Sequence, residues 1–176
     1  MKTLRLIAVL SIVAAGAVLL VQGDDDVPKN QNKTNQVTIA PMTPDGPSKE
    51  LVKSVIDHYL RIQAALADDS MGGVSTNAAA ISEAVKADKA KIFSPEAADA
   101  ANALAKAKDV SIARESFKDL SQSLIKYLSD RKVRTGELDE VFCPMANAYW
   151  LQTNKDIANP YLGHSMPGCG EIKRTF

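Results

Sequence analysis

The residues with the most distinctive chemistry lie in two short stretches near the C-terminal end. In VFCPMANAYWLQ (Val141–Gln152), Cys143 and Met145 flank Pro144. In NPYLGHSMPGCG (Asn159–Gly170), Met166 and Cys169 flank Pro167 and Gly168. Thiolate and thioether sulfurs are soft donors that select Cu(I) or Ag(I) over hard cations. A thioether has no proton to lose, so methionine ligation survives mild acidity. His164 lies in the same stretches as a further candidate ligand, and the Trp150 indole as a cation-facing ring. Zinc suits this inventory less well, because it seldom uses methionine and finds only two thiolates and one nearby imidazole.

A second reading needs no metal. The chain has 2 cysteines, and two cysteines in an exported protein usually pair. A Cys143–Cys169 bridge would close a loop of about 26 residues, worth roughly 3–4 kcal/mol in the chain-entropy model. Met145 and Met166 would then be core fillers. Free buried thiols are a third arrangement, and the spacing leaves all three open.

Catalysis has little to stand on, and the expectation is a protein that is not an enzyme. His58 and His164 are the only histidines, and neither has an evident nucleophile partner. There is no Gly-x-Ser-x-Gly elbow, no phosphate loop and no His-Glu-x-x-His. His58 is expected at the edge of a helix's apolar stripe. Glu137, Asp139 and Glu140 are expected as solvated loop carboxylates.

The elements around these residues follow from punctuation and periodicity. Residues 1–23 read as a signal peptide: Lys2 and Arg5, an apolar run from Leu6 to Val21, then Val21-Gln22-Gly23. The apolar run is shorter than the roughly 20 residues that span a bilayer. No lipobox cysteine follows it, so a periplasmic or secreted protein is expected, not membrane-embedded once cleaved. The chain carries 21 basic and 21 acidic side chains. Cleavage would remove two bases and no acid, leaving no basic face to attract nucleic acid or anionic lipid. Residues 24–46 are polar and proline-punctuated, and read as a disordered linker. They contain the Asp24–Asp26 cluster and an Asn32-Lys33-Thr34 sequon.

Residues 47–176 read as one helical domain. Leu51, Val55, Tyr59, Ile62 and Leu66 recur at helical spacing after Ser48. A second helix is expected over 75–87, with Ala78, Ile81 and Val85 inward. A third opens at Ser94-Pro95-Glu96, where proline suits the first helical position. A fourth starts near Asp109 or Ser111, with Ile112, Phe117, Leu120, Leu124, Tyr127 and Leu128 as its stripe. The expected fold is therefore all-α: an antiparallel four-helix bundle, with an irregular, turn-rich C-terminal tail (131–176) packed on it. At most a short helix is expected in the tail, near 147–152 or 155–157. Oligomeric state is left open.

The pattern CPMANAYWLQ…NPYLGHSMPGCGE resembles the C-terminal signature of an uncharacterised bacterial domain family. That family occurs as stand-alone exported proteins and as an extension of periplasmic adaptor subunits in copper/silver RND efflux pumps. IDHYLRIQAALADDS is similar to its opening helix, and AKAKDVSIARESFKDLSQSLIKYL to its last helices. The matching tail positions are Cys143, Pro144, Met145, Trp150, Asn159, Pro160, Tyr161, Gly163, Met166, Cys169 and Gly170. His164 is not part of the pattern, and the family carries a few extra residues before the tryptophan. The resemblance implies copper or silver as the ion and a metal-efflux or resistance protein as partner. Trp150 would shield the ion, while Asn159, Pro160, Tyr161 and Gly163 would set the returning turn. Reduced thiols would bind the ion, and oxidation would close the bridge and release it.

Overall fold

The computed structural model describes residues 47–176. The expected signal peptide and linker, with the aspartate cluster and sequon, lie outside the described residues. Four helices come first: α1 (Pro47–Ala67), α2 (Val74–Ala87), α3 (Pro95–Ala105) and α4 (Val110–Asp130). Their boundaries follow the expected signals. Ser94 precedes α3 with Pro95 in its first turn. Asp109 caps α4 by accepting the Ile112 N–H at 2.9 Å. The stripes of Val55, Tyr59, Ile62 and Leu66 and of Phe117, Leu120 and Leu124 are fully buried. Ile112 departs from its expected place: it is 49% exposed, one position off the buried face marked by Ala113 and Phe117.

The all-α expectation is overturned beyond Asp130. Residues Asp139–Cys143 (β1), Ala148–Gln152 (β2) and Glu171–Thr175 (β3) form a three-stranded antiparallel sheet in the order β2-β1-β3. The fold is mixed α and β. Prolines and glycines between 144 and 170 do stop helices, but the five-residue runs within and on either side of that span each carry two β-branched or aromatic side chains. Residues Pro144–Asn147 make a tight hairpin turn, with Asn147 in the left-handed region at φ 45°. Cys143 pairs with Ala148 across it, and Val141 with Trp150. β2 thus replaces the short helix expected near 147–152. Residues 155–156 form a bend and 157 is irregular, in place of the other short helix.

The sheet also changes how the helices meet. Each helix packs on the next, but α1 and α4 touch only sparingly; β2 lies against both and completes the core between them. The junction is built around Tyr59 of α1. Its ring stacks on Phe117 of α4 with centroids 4.8 Å apart, and its hydroxyl lies 2.7 Å from Ser121 Oγ. The same hydroxyl accepts the Leu151 N–H of β2 at 3.0 Å. Burial drives the Tyr59 phenol well above its ordinary pKa, so it stays protonated.

Asp139 and Glu140 are not solvated. As β1 residues they are buried, at 0% and 7% exposure. Asp139 accepts from Lys155 Nζ at 2.7 Å and from Thr175 Oγ1 at 2.5 Å; Glu140 pairs with Arg174. Both carboxylates lie in the central strand, so each is held by the strand or loop beside it.

Candidate functional site

Cys143 ends β1, and Cys169 sits two residues before β3, the strand paired to β1 on its other side. Phe142 pairs with Glu171, so sheet register brings the two cysteines alongside one another. Both are free thiols. Cys143 is completely buried, Cys169 only partly. Each thiol's titration is shaped by a hydrogen bond with the other.

The turn after Cys143 supplies further donors. The Ala146 N–H points at Cys143 Sγ from 3.4 Å. The Met145 N–H lowers the pKa of both thiols, and the Asn159 side chain lowers that of Cys143. Burial alone would push the Cys143 thiol upward. The hydrogen bonds from Cys169, Ala146, Asn159 and Met145 outweigh it and hold the thiol below its ordinary pKa. Cys169 shifts the other way: its hydrogen bond to Cys143 favours its protonated form, and burial adds to this. Of the two, Cys143 therefore gives up its proton the more readily, and Cys169 holds its proton more firmly than an ordinary thiol.

Asn159 is the structural centre of the tail. Its side chain is fully buried. Its Oδ1 accepts the N–H groups of Tyr161 at 2.8 Å and Leu162 at 3.0 Å, and its Nδ2 donates to the Cys169 carbonyl at 2.6 Å. Its own N–H donates to the Pro167 carbonyl at 2.9 Å. One amide therefore closes the Asn159-Pro160-Tyr161 turn and ties the cysteine-bearing segment to it. Tyr161 continues the link, donating to the Tyr149 carbonyl at 2.6 Å. The Pro160 carbonyl accepts from Arg114 Nε at 2.7 Å.

Two glycines are fixed by sterics. Gly163 has φ 51°, and a Cβ there would collide with the Asp69 carboxylate and with Arg114. A Cβ at Gly170 would come within 2.8 Å of both Trp150 Cη2 and Val141 Cγ1. Backbone thus packs directly on the indole beside Cys169.

The remaining sequence-derived site residues separate into two groups. Trp150 is buried with its N–H donated to Gln152 Oε1 at 3.0 Å, and its ring lies edge-on to Tyr161. Met145 and Met166 are 68% and 42% exposed, so neither is a core filler. The Met166 carbonyl accepts the Cys169 N–H at 3.1 Å, and both methionines remain exposed. His164 faces α1: its ring nitrogens lie 3.0 Å from Asp68 Oδ1 and 3.2 Å from Asp69 Oδ2. His58 keeps its expected boundary position, 2.8 Å from Asn77 Oδ1. Among the described residues, no group of three or more His, Cys, Asp or Glu side chains is placed to hold a metal ion.

Sequence reasoning overlooked the Met145 and Ala146 N–H groups and Arg114. The first had a legible signal, since a tight turn directly after a cysteine aims successive N–H groups back at its sulfur. Arg114, the one arginine of α4, also donates to the Leu66 carbonyl at 2.9 Å and pairs with Asp69 at 2.5 Å. It had no local signal, because its partners are remote in sequence.

Residues 55–136 match one family model. Its description is "Protein of unknown function (DUF3347)". The match is consistent with an uncharacterised domain family, and it covers most of α1 through α4, ending before Cys143. No curated protein and no solved structure matches the chain. Among the described residues, no helix is long and apolar enough to cross a membrane.

Proposed function

We propose that this is an exported Cu(I)- or Ag(I)-binding protein that buffers the ion or hands it to an efflux or resistance partner, without performing catalysis. The observation that carries this reading is the β1–β3 register, which sets two unbridged cysteines from separate segments of the tail beside one another. Cys143 and Cys169 would be the anchoring donors, and a thiol already held toward its thiolate form binds a soft cation with less competition from protons. Met145 and Met166 would complete the set from the exposed rim. His164, engaged by Asp68 and Asp69, is left out of it. Trp150 and Gly170 would form the packed wall behind Cys169. The bound ion would add only its own affinity for sulfur. The efflux connection and the export rest on the resemblance of the tail and on the leader-like N-terminus.

The test is anaerobic titration of the reduced protein, lacking residues 1–23, with Cu(I) against a competing chelator. Binding is expected in the wild type, and loss of it in Cys143→Ser and Cys169→Ser. Combined Met145→Ala and Met166→Ala should weaken it; an unaltered affinity would remove the methionines from the site. A wild type that cannot compete at all would overturn the proposal.

A second reading is favoured by the same juxtaposition of cysteines: a Cys143–Cys169 disulfide that stiffens an interaction module with no metal. It requires no free thiol in protein from its native compartment and a melting temperature insensitive to Cu(I). Intact mass before and after alkylation separates the two.

A further inference from the structure

The two sulfurs are neighbours with unequal access. Cys143 is sealed beneath the hairpin turn, and Cys169 is partly open on the turn formed by residues 166–169, where the Cys169 N–H donates to the Met166 carbonyl at 3.1 Å. A disulfide arriving from solvent can touch Cys169 and not Cys143. Once it has, Cys143 is the only other cysteine of the sequence, set beside Cys169 by the Phe142–Glu171 pairing of β1 and β3. The donors around Cys143 also matter: N–H groups aimed at a sulfur favour its reduced form, which makes the corresponding bridge easier to reopen. A bridge serving only as a staple would be shielded on both sulfurs and would lack these donors. Exposed Met145 and Met166 lie two and three residues from the cysteines and provide an apolar rim for the approaching group.

From this arrangement we infer that Cys143 and Cys169 are an exchange-active dithiol couple, with Cys169 attacking an external disulfide of the glutathione type and Cys143 resolving the product. In the first step Cys169 loses its proton to the adjacent Cys143 sulfur or to water and attacks one sulfur of the external disulfide. A Cys169–glutathione bond forms, and one glutathione thiolate departs. In the second step deprotonated Cys143 attacks the Cys169 sulfur, forming the internal bridge and expelling the second glutathione thiolate. The two protons end on the two departing thiols. Two electrons pass from the protein to the external disulfide, and excess reduced glutathione runs the sequence backwards.

The experiment uses the chain without residues 1–23, metal-free in the presence of chelator, with oxidised glutathione as probe. Wild type should form the internal bridge and release two glutathione thiols per chain. Added reduced glutathione should reopen it. Cys143→Ser should accumulate an adduct on Cys169 at least roughly tenfold faster than Cys169→Ser accumulates one on Cys143, the penalty expected for a sealed sulfur. Should a variant unfold, as near-ultraviolet dichroism of Trp150 would report, rapid alkylation of reacting wild type and peptide mapping gives the site of the mixed disulfide instead. The inference is overturned if the adduct maps to Cys143, if excess oxidised glutathione forms no bridge, or if a roughly hundredfold excess of reduced glutathione leaves the bridge closed. None of these outcomes depends on Cu(I). Failed metal binding with intact exchange would remove the proposed function alone, and the converse would remove this inference alone.

Discussion

Asn159 offers a quantitative test, because one buried side chain holds both the returning turn and the thiols. Asn159→Ala would leave the Tyr161 and Leu162 N–H groups and the Cys169 carbonyl without their partner. A buried polar group stripped of its partner costs about 1–3 kcal/mol. Tyr161 and Leu162 are only partly buried, so water recovers part of the loss. The expected net destabilisation is therefore about 3–4 kcal/mol, a large fraction of the roughly 5–15 kcal/mol typical of a domain. The assay is urea unfolding of reduced protein, read by Trp150 fluorescence, with the midpoint falling at unchanged slope. Asn159→Asp separates the two roles. Its carboxylate can still accept from Tyr161 and Leu162, but it donates nothing to Cys169 or Cys143 and adds a negative charge beside them. It should cost less stability than alanine while raising the pKa of the first thiol. A loss under about 1 kcal/mol for alanine, too small for even one stripped buried group, would refute the assignment of Asn159 as the centre of the tail. An unmoved thiol titration in the Asp variant would refute its hold on Cys143.

Other expectations follow from single contacts. Thiolate absorbance near 240 nm should rise in two steps on titrating reduced protein, one below and one above the ordinary thiol range; a single step at the ordinary value would deny the coupling. Tyr59→Phe leaves the buried Leu151 N–H unpaired and should cost about 1–3 kcal/mol by urea unfolding, despite preserving the ring stack. Gly163→Ala places a Cβ in the left-handed region and against the Asp69–Arg114 pair, so it should destabilise by about 2 kcal/mol or more. Asp139 is buried, which raises its pKa, yet Lys155 and Thr175 more than compensate and hold it below the ordinary carboxylate value. A depressed folded pKa contributes stability above the unfolded value that disappears as pH falls through the folded one. Asp139→Asn should therefore be less stable than wild type at neutral pH, with the gap closing below about pH 4, measured by melting temperature across acid pH.

The helices were legible because their signals are local. A cap, a proline and a repeat of 3.6 residues can each be read from a handful of neighbours, and Tyr59, Ile62, Ile81 and Leu124 fell where periodicity put them. The strands were not, because their alternation is hidden. β1 and β2 are buried almost throughout, while β3 is exposed at every residue, so neither displays the usual inside–outside rhythm. Asp139 and Glu140 misled for the same reason: carboxylates suggest solvent unless partners such as Lys155, Thr175 and Arg174 are seen.

The residue types near the C-terminal end determined by themselves that soft sulfur chemistry was available and that the familiar hydrolytic constellations were not. Whether those sulfurs meet was decided only by the fold. Strand register between β1 and β3 and the Asn159 turn bring Cys143 and Cys169 together across 26 positions of chain. It also turned Met145 and Met166 outward and engaged His164 with Asp68 and Asp69. Local sequence sets the chemistry a side chain can perform; long-range backbone pairing sets which side chains share a site, and no short window of sequence carries that information.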